Sequence, residues 1–74
     1  MEKEILAILG TIAPYVEIHP NTKLLEEGIL DSIGMILLIN ELEKTYAIAI
    51  PLERLKAEDF ATITDIASLV KRLL

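Results

Sequence analysis

Seventy-four residues, 53% of them apolar, are enough for one small domain spanning 1–74 and too apolar for a disordered tail. Seven basic against twelve acidic side chains leave a net charge of −5, which is the wrong sign for gripping a phosphate backbone and favours basic partners. No cysteine is present, so a disulfide framework and a thiolate metal site are excluded, and any thiol chemistry has to arrive on an added group.

The first element predicted is a helix over residues 2–12, where Ile5, Leu6, Ile8, Leu9 and Ile12 recur at helical spacing. Pro14 disfavours helical geometry at Ala13 and removes a donor, so the helix ends there. His19-Pro20-Asn21-Thr22 is turn chemistry. The connection that follows carries Leu24, Leu25, Ile29 and Leu30, which predicts a segment packed down on the core. Asp31-Ser32 starts a second helix, with Asp31 as N-cap, that runs to about Tyr46. Pro51 bars continuation, and a short helical turn fits 52–58. Thr62-Ile63-Thr64-Asp65 resembles a capping box with Asp in the Glu position, opening a last helix. Ile66, Leu69, Val70 and Leu73 form its inner stripe, and Lys71 and Arg72 sit where the helix dipole favours cations. Only Tyr46 to Pro51 has β character, and one strand makes no sheet.

Chemistry concentrates at Glu26-Glu27-Gly28-Ile29-Leu30-Asp31-Ser32-Ile33. Ser32 stands at a helix start whose leading N–H groups are unpaired, so a phosphate on its hydroxyl would lie at the positive end of the dipole. Gly34 is read as keeping the first turn sterically open. The plain alternative is that Asp31 and Ser32 only cap the helix. The second helix adds a further signal. Met35, Leu38, Ile39, Leu42 and Tyr46 share one face on a helical wheel, an ordinary core stripe. Ile33 and Leu37 point the other way and Ile36 lies on the flank, where a helix packed on one side is expected to be polar. Ile33, Ile36 and Leu37 are therefore a candidate partner surface, unless a loop covers them. Gly-rich phosphate loops and His/Cys metal sets are absent. A nucleophile triad would have to use Ser32, the lone His19 and an acid. The competing reading of His19 is an exposed turn residue.

Leu25-x-x-Gly28-x-x-Asp31-Ser32-Ile33 resembles the Gly-x-x-Asp-Ser-Leu motif of acyl and peptidyl carrier proteins, with Ile33 in place of the usual Leu. The resemblance continues through Leu38, Leu42-Glu43, Tyr46 and Ile50-Pro51 and closes with Phe60-x-Thr62-Ile63, covering about residues 20–74. It implies an all-α fold, a small four-helix bundle of acyl-carrier type. It also implies that Ser32 receives 4′-phosphopantetheine from coenzyme A through a Mg²⁺-dependent phosphopantetheinyl transferase, with Asp31 part of the motif that enzyme recognises. The thiol of that arm would carry an acyl or aminoacyl thioester between an adenylating enzyme and an acyl transferase or condensing enzyme. The chain itself would be a monomer with no catalytic residue and no metal ligand.

Carriers of bacterial fatty-acid synthesis have an acidic second helix, whereas here no acid follows Ser32 until Glu41. The Pro51–Thr62 stretch looks more like that of D-alanyl carrier proteins, with Phe60 where those have Trp. The alternative to a carrier is a helical adaptor or oligomerisation module without a prosthetic group. The longest apolar run, Met35 to Ile39, is far short of a membrane span, and the N-terminus has no signal core or lipidation motif, so a cytoplasmic location is expected.

Overall fold

A computed structural model describes all 74 residues. Three α-helices, α1 (Glu2–Ile12), α2 (Ser32–Tyr46) and α3 (Ile63–Leu73), pack around a shared apolar core, and two 3₁₀ turns, Leu52–Arg54 and Ala57–Phe60, bridge the last two. Ile5 and Leu9 from α1, Leu38 and Leu42 from α2, and Ile66 and Val70 from α3 lie fully buried. These are positions four apart on each helix, so each contributes one inward stripe.

The ends of the helices follow from local chemistry. α1 stops at Ala13, one residue before Pro14, as Pro14 requires. Asp31 caps α2 by accepting the Gly34 N–H on Oδ1 at 2.7 Å. Thr62 caps α3 by accepting the Asp65 N–H on Oγ1 at 3.1 Å. The expected capping box closes differently, however. The Asp65 carboxylate accepts from the Thr62 hydroxyl at 2.9 Å rather than from the Thr62 backbone. Asp is one methylene shorter than the Glu of a standard box, and the hydroxyl is the nearer donor.

The connection between α1 and α2 packs down. Ile18, Leu24 and Leu30 are buried in the core, while Leu25 and Ile29 are half-buried against it. Leu24 holds the segment in place at both backbone groups. Its N–H donates to Ala61 O at 2.8 Å, and its carbonyl accepts from Ile29 at 2.9 Å and Leu30 at 3.0 Å.

The fourth helix is not seen as a regular element; its place is taken by the two 3₁₀ turns. Leu55 and Lys56, between them, are extended. Burial accounts for this: Phe60 is fully buried and Leu55 packs against the core. Five residues apart on one continuous α-helix, they would point about 140° away from each other. Two short turns with an extended step bring both inward.

Candidate functional site

Ser32 is the first residue of α2 and is exposed. The turn leading to it is shaped by Gly28, which sits in the left-handed region at φ +71°, with its N–H donating to Leu25 O at 3.1 Å. A side chain there would be strained, which gives the glycine three residues before Asp31 a physical reason. Asp31 uses its carboxylate on the N–H of Gly34, leaving the N–H groups of Ser32 and Ile33 at the helix end for an anion. An exposed hydroxyl at the positive end of a fifteen-residue helix fits a serine esterified to a phosphate.

Gly34 has a different job from the one expected. It is buried, and a Cβ added to it would lie 3.3 Å from Asp31 Oδ1, 3.4 Å from Leu30 and 3.5 Å from Ile12. The glycine lets the start of α2 approach the end of α1. It does not open the solvent side of the turn, because it faces inward.

The solvent side belongs to the residues proposed as a partner surface. Ile33 is 70% exposed, Ile36 60% and Leu37 48%, so no loop covers them. From Ser32 to Asn40 the helix carries no charged side chain at all. Of the charges that follow it, Glu41 pairs with Lys44 at 3.8 Å. Beside Ser32 there is thus an uncovered apolar strip on a chain otherwise rich in charge.

His19 is not brought to Ser32. It is exposed, with Nε2 3.7 Å from Glu17, and its backbone N–H donates to the Thr22 hydroxyl. The triad reading therefore has no geometry behind it. No cluster of His, Cys, Asp or Glu is placed to hold a metal ion. In the second 3₁₀ turn, Asp59 accepts from the Lys56 N–H at 3.1 Å and from Arg72 at 3.0 Å. The Lys56 N–H first, and then Arg72, hold its carboxyl below the ordinary aspartate range. This contact ties the second 3₁₀ turn to α3. The sequence offered no pattern for it, because the two residues are thirteen apart and neither belongs to a motif.

A small all-helical fold with an exposed serine at the start of its second helix defines a carrier-type domain. The phosphopantetheine attachment site family matches residues 3–71, and the chain belongs to that family of carrier proteins. Its members bear phosphopantetheine covalently on a serine and are substrates of modifying enzymes rather than catalysts. The chain is 38% identical over 73 residues to the D-alanyl carrier protein of Lactococcus lactis subsp. cremoris (strain MG1363), covering 96% of this chain and 92% of that protein. To the D-alanyl carrier protein of Lactococcus lactis subsp. lactis (strain IL1403) it is 37% identical over the same length. To that of Streptococcus pyogenes serotype M1 it is 40% identical over 50 residues, 68% of this chain and 63% of that protein. The adaptor reading gains no support from these comparisons. No helix is long and apolar enough to cross a membrane.

Proposed function

We propose that Ser32 is the attachment serine and that the chain is a single carrier domain, 1–74, for an aminoacyl group. One observation carries the site. Of the two serines, Ser32 is exposed at the helix start with Asp31 as cap, whereas Ser68 lies inside α3, where its N–H is committed to the helix. Asp31 fixes the first turn and presents an acid beside the hydroxyl that a transferase must reach. When bound, the arm supplies a thiol that holds the cargo as an activated thioester. The chain's own part is to present Ser32 at the surface and to offer Ile33, Ile36 and Leu37 as the face on which enzymes seat.

The cargo favoured is D-alanine, which the names of the relatives carry and with which the uncharged start of α2 is in keeping. An adenylating enzyme would load it and an acyl transferase would receive it, with the carrier acting as a cytoplasmic monomer. The two 3₁₀ turns over 52–60 stand where a four-helix carrier has its third helix. The test is intact mass after incubation with coenzyme A, Mg²⁺ and a broad-specificity phosphopantetheinyl transferase. The parent gains one arm; Ser32→Ala, folded as the parent, gains none. An arm on the Ala variant would reject Ser32.

A further inference from the structure

The three α-helices differ at their positive ends. α1 carries Glu2 and Glu4 in its first turn and α3 carries Asp65, whereas α2 carries no acid there. Its opening residues, Ser32, Ile33 and Gly34, include no strong helix former. Asp31 stands just before them, but the carboxylate oxygen that reaches the turn is spent on the Gly34 N–H at 2.7 Å. No carbonyl or side chain of the chain accepts from the N–H groups of Ser32 and Ile33. The helix that lacks an acid in its first turn is thus the one that begins with the exposed serine.

We propose that attachment of the arm completes the cap of α2, so that the holo chain presents a better-ordered helix to its enzymes than the apo chain; the proposal rests on Ser32 being the attachment serine. Esterification puts a phosphodiester, anionic at neutral pH, at the positive end of a fifteen-residue dipole. Its oxygens are strong acceptors for unpaired backbone N–H groups. The anion is held covalently, so it is present at the turn whatever its affinity.

One repulsion works against this gain, because the phosphodiester also stands beside the Asp31 carboxylate. The dipole and the two free N–H groups favour the anion, and Asp31 is already neutralised in part by its bond to Gly34. The consequence reaches the face proposed for docking. Ile33 is both the second residue of this turn and the first of the exposed apolar strip, with Ile36 and Leu37 one turn further on. Fraying of the turn in the apo chain displaces Ile33; a capped turn holds it in place. An enzyme that seats on Ile33 therefore meets an ordered face on a chain that already has its arm. Apo and holo carriers are told apart by the order of the helix as well as by the thiol.

Intact mass first establishes that the parent gains one arm at Ser32, and a parent that gains none rejects the attachment reading itself. With both forms in hand, the holo protein should melt above the apo protein by roughly 1–8 °C, the shift expected of a dipole-sized gain in a domain of this length. Exchange of the Ser32 and Ile33 amides should slow by about two- to fivefold. Salt of about 1 M should shrink the difference between the two forms. Ser32→Asp, which places an anion at the same position without an arm, should melt above Ser32→Asn, which does not. Equal or reversed melts of apo and holo protein would mean that repulsion from Asp31 outweighs the dipole, and would overturn the proposal. So would a holo gain that leaves the Ser32 and Ile33 amides unchanged, or a Ser32→Asp chain that melts no higher than Ser32→Asn, because the gain would then come from the rest of the arm.

Discussion

Gly28 and Gly34 flank Ser32 and solve different steric problems. Gly28 takes a backbone angle that other residues rarely adopt, while Gly34 permits a close approach between helices. A larger side chain at position 34 has nowhere to go, because Ile12, Leu30 and the Asp31 cap already surround it. Gly34→Leu is therefore expected to cost about 1–3 kcal/mol by overpacking. Its thermal midpoint should fall by several degrees or more in calorimetry, and a midpoint equal to the parent's would mean that α1 does not lie against this turn. The residues themselves were readable in the sequence: Asp31 as cap, Ser32 as the exposed hydroxyl and Gly28 as a motif glycine. The inward job of Gly34 was not readable. A helical wheel places a residue on a face, but only the packed partner, here Ile12 of α1, says why that face must be bare.

Among the elements, the three α-helices were legible because each begins or ends on local chemistry: Pro14, Asp31 and Thr62. The end of α2 was expected at about Tyr46 and falls there, although no local residue marks it. It closes at Ala47 in the left-handed region, φ +53°, a conformation usually left to Gly or Asn. What stops the helix is tertiary. Ile50 is buried, and its N–H donates to the Glu43 side chain at 2.8 Å, so the chain doubles back along the helix it has just left. A short helical turn over 52–58 was legible, but its division into two 3₁₀ turns was not, since the burial of Leu55 and Phe60 decides it. Core positions carry the stability of these elements. Leu42 is fully exchanged from water to core, and Leu42→Ala should cost about 2–5 kcal/mol. A domain this small has a reserve of about that size, so the variant should lose most of its cooperative melt in far-UV circular dichroism.

The Asp59 contact makes a second prediction for the elements. Its carboxyl is lowered in the folded chain, so the contact stabilises fully above 3.8, the ordinary aspartate value, and is lost as pH falls through the lower folded value. The difference in thermal midpoint between parent and Asp59→Asn should be largest at neutral pH and should shrink toward zero in acid. A difference that grows in acid would reverse the sign and remove Asp59 from the clasp on α3.

Taken as a whole, the molecule measures 29 × 21 × 20 Å, so any enzyme that acts at Ser32 covers a large share of one side. On the proposed docking face, the strip of Ile33, Ile36 and Leu37 would then be buried in every productive encounter. Surface substitutions usually move stability by no more than about 0.5 kcal/mol, whereas losing an apolar interface anchor can cost about 2 kcal/mol in binding. Leu37→Glu should keep the parent's melt and lose loading rate with its own adenylating enzyme. It should gain, if anything, with a fatty-acid synthase whose partner faces are basic. If the variant unfolds and loading only tracks the folded fraction, Leu37 belongs to the core.

The uncharged run from Ser32 to Asn40 has one more consequence, which concerns ionic strength. A carrier that docks through carboxylates gains encounter speed from long-range attraction, and salt takes that speed away by shortening the reach of charge to about 10 Å at 0.1 M. With Ile33, Ile36 and Leu37 as the proposed docking face, this chain would keep its net charge of −5 on other faces and meet its enzymes with hydrocarbon. On that proposal its recognition would be bound to the release of water from isoleucine and leucine side chains, which ordinary salt barely alters and salting-out ions strengthen. The docking step would then be buffered against changes in ionic strength, and in exchange it would give up the diffusional head start of a carrier that docks through carboxylates.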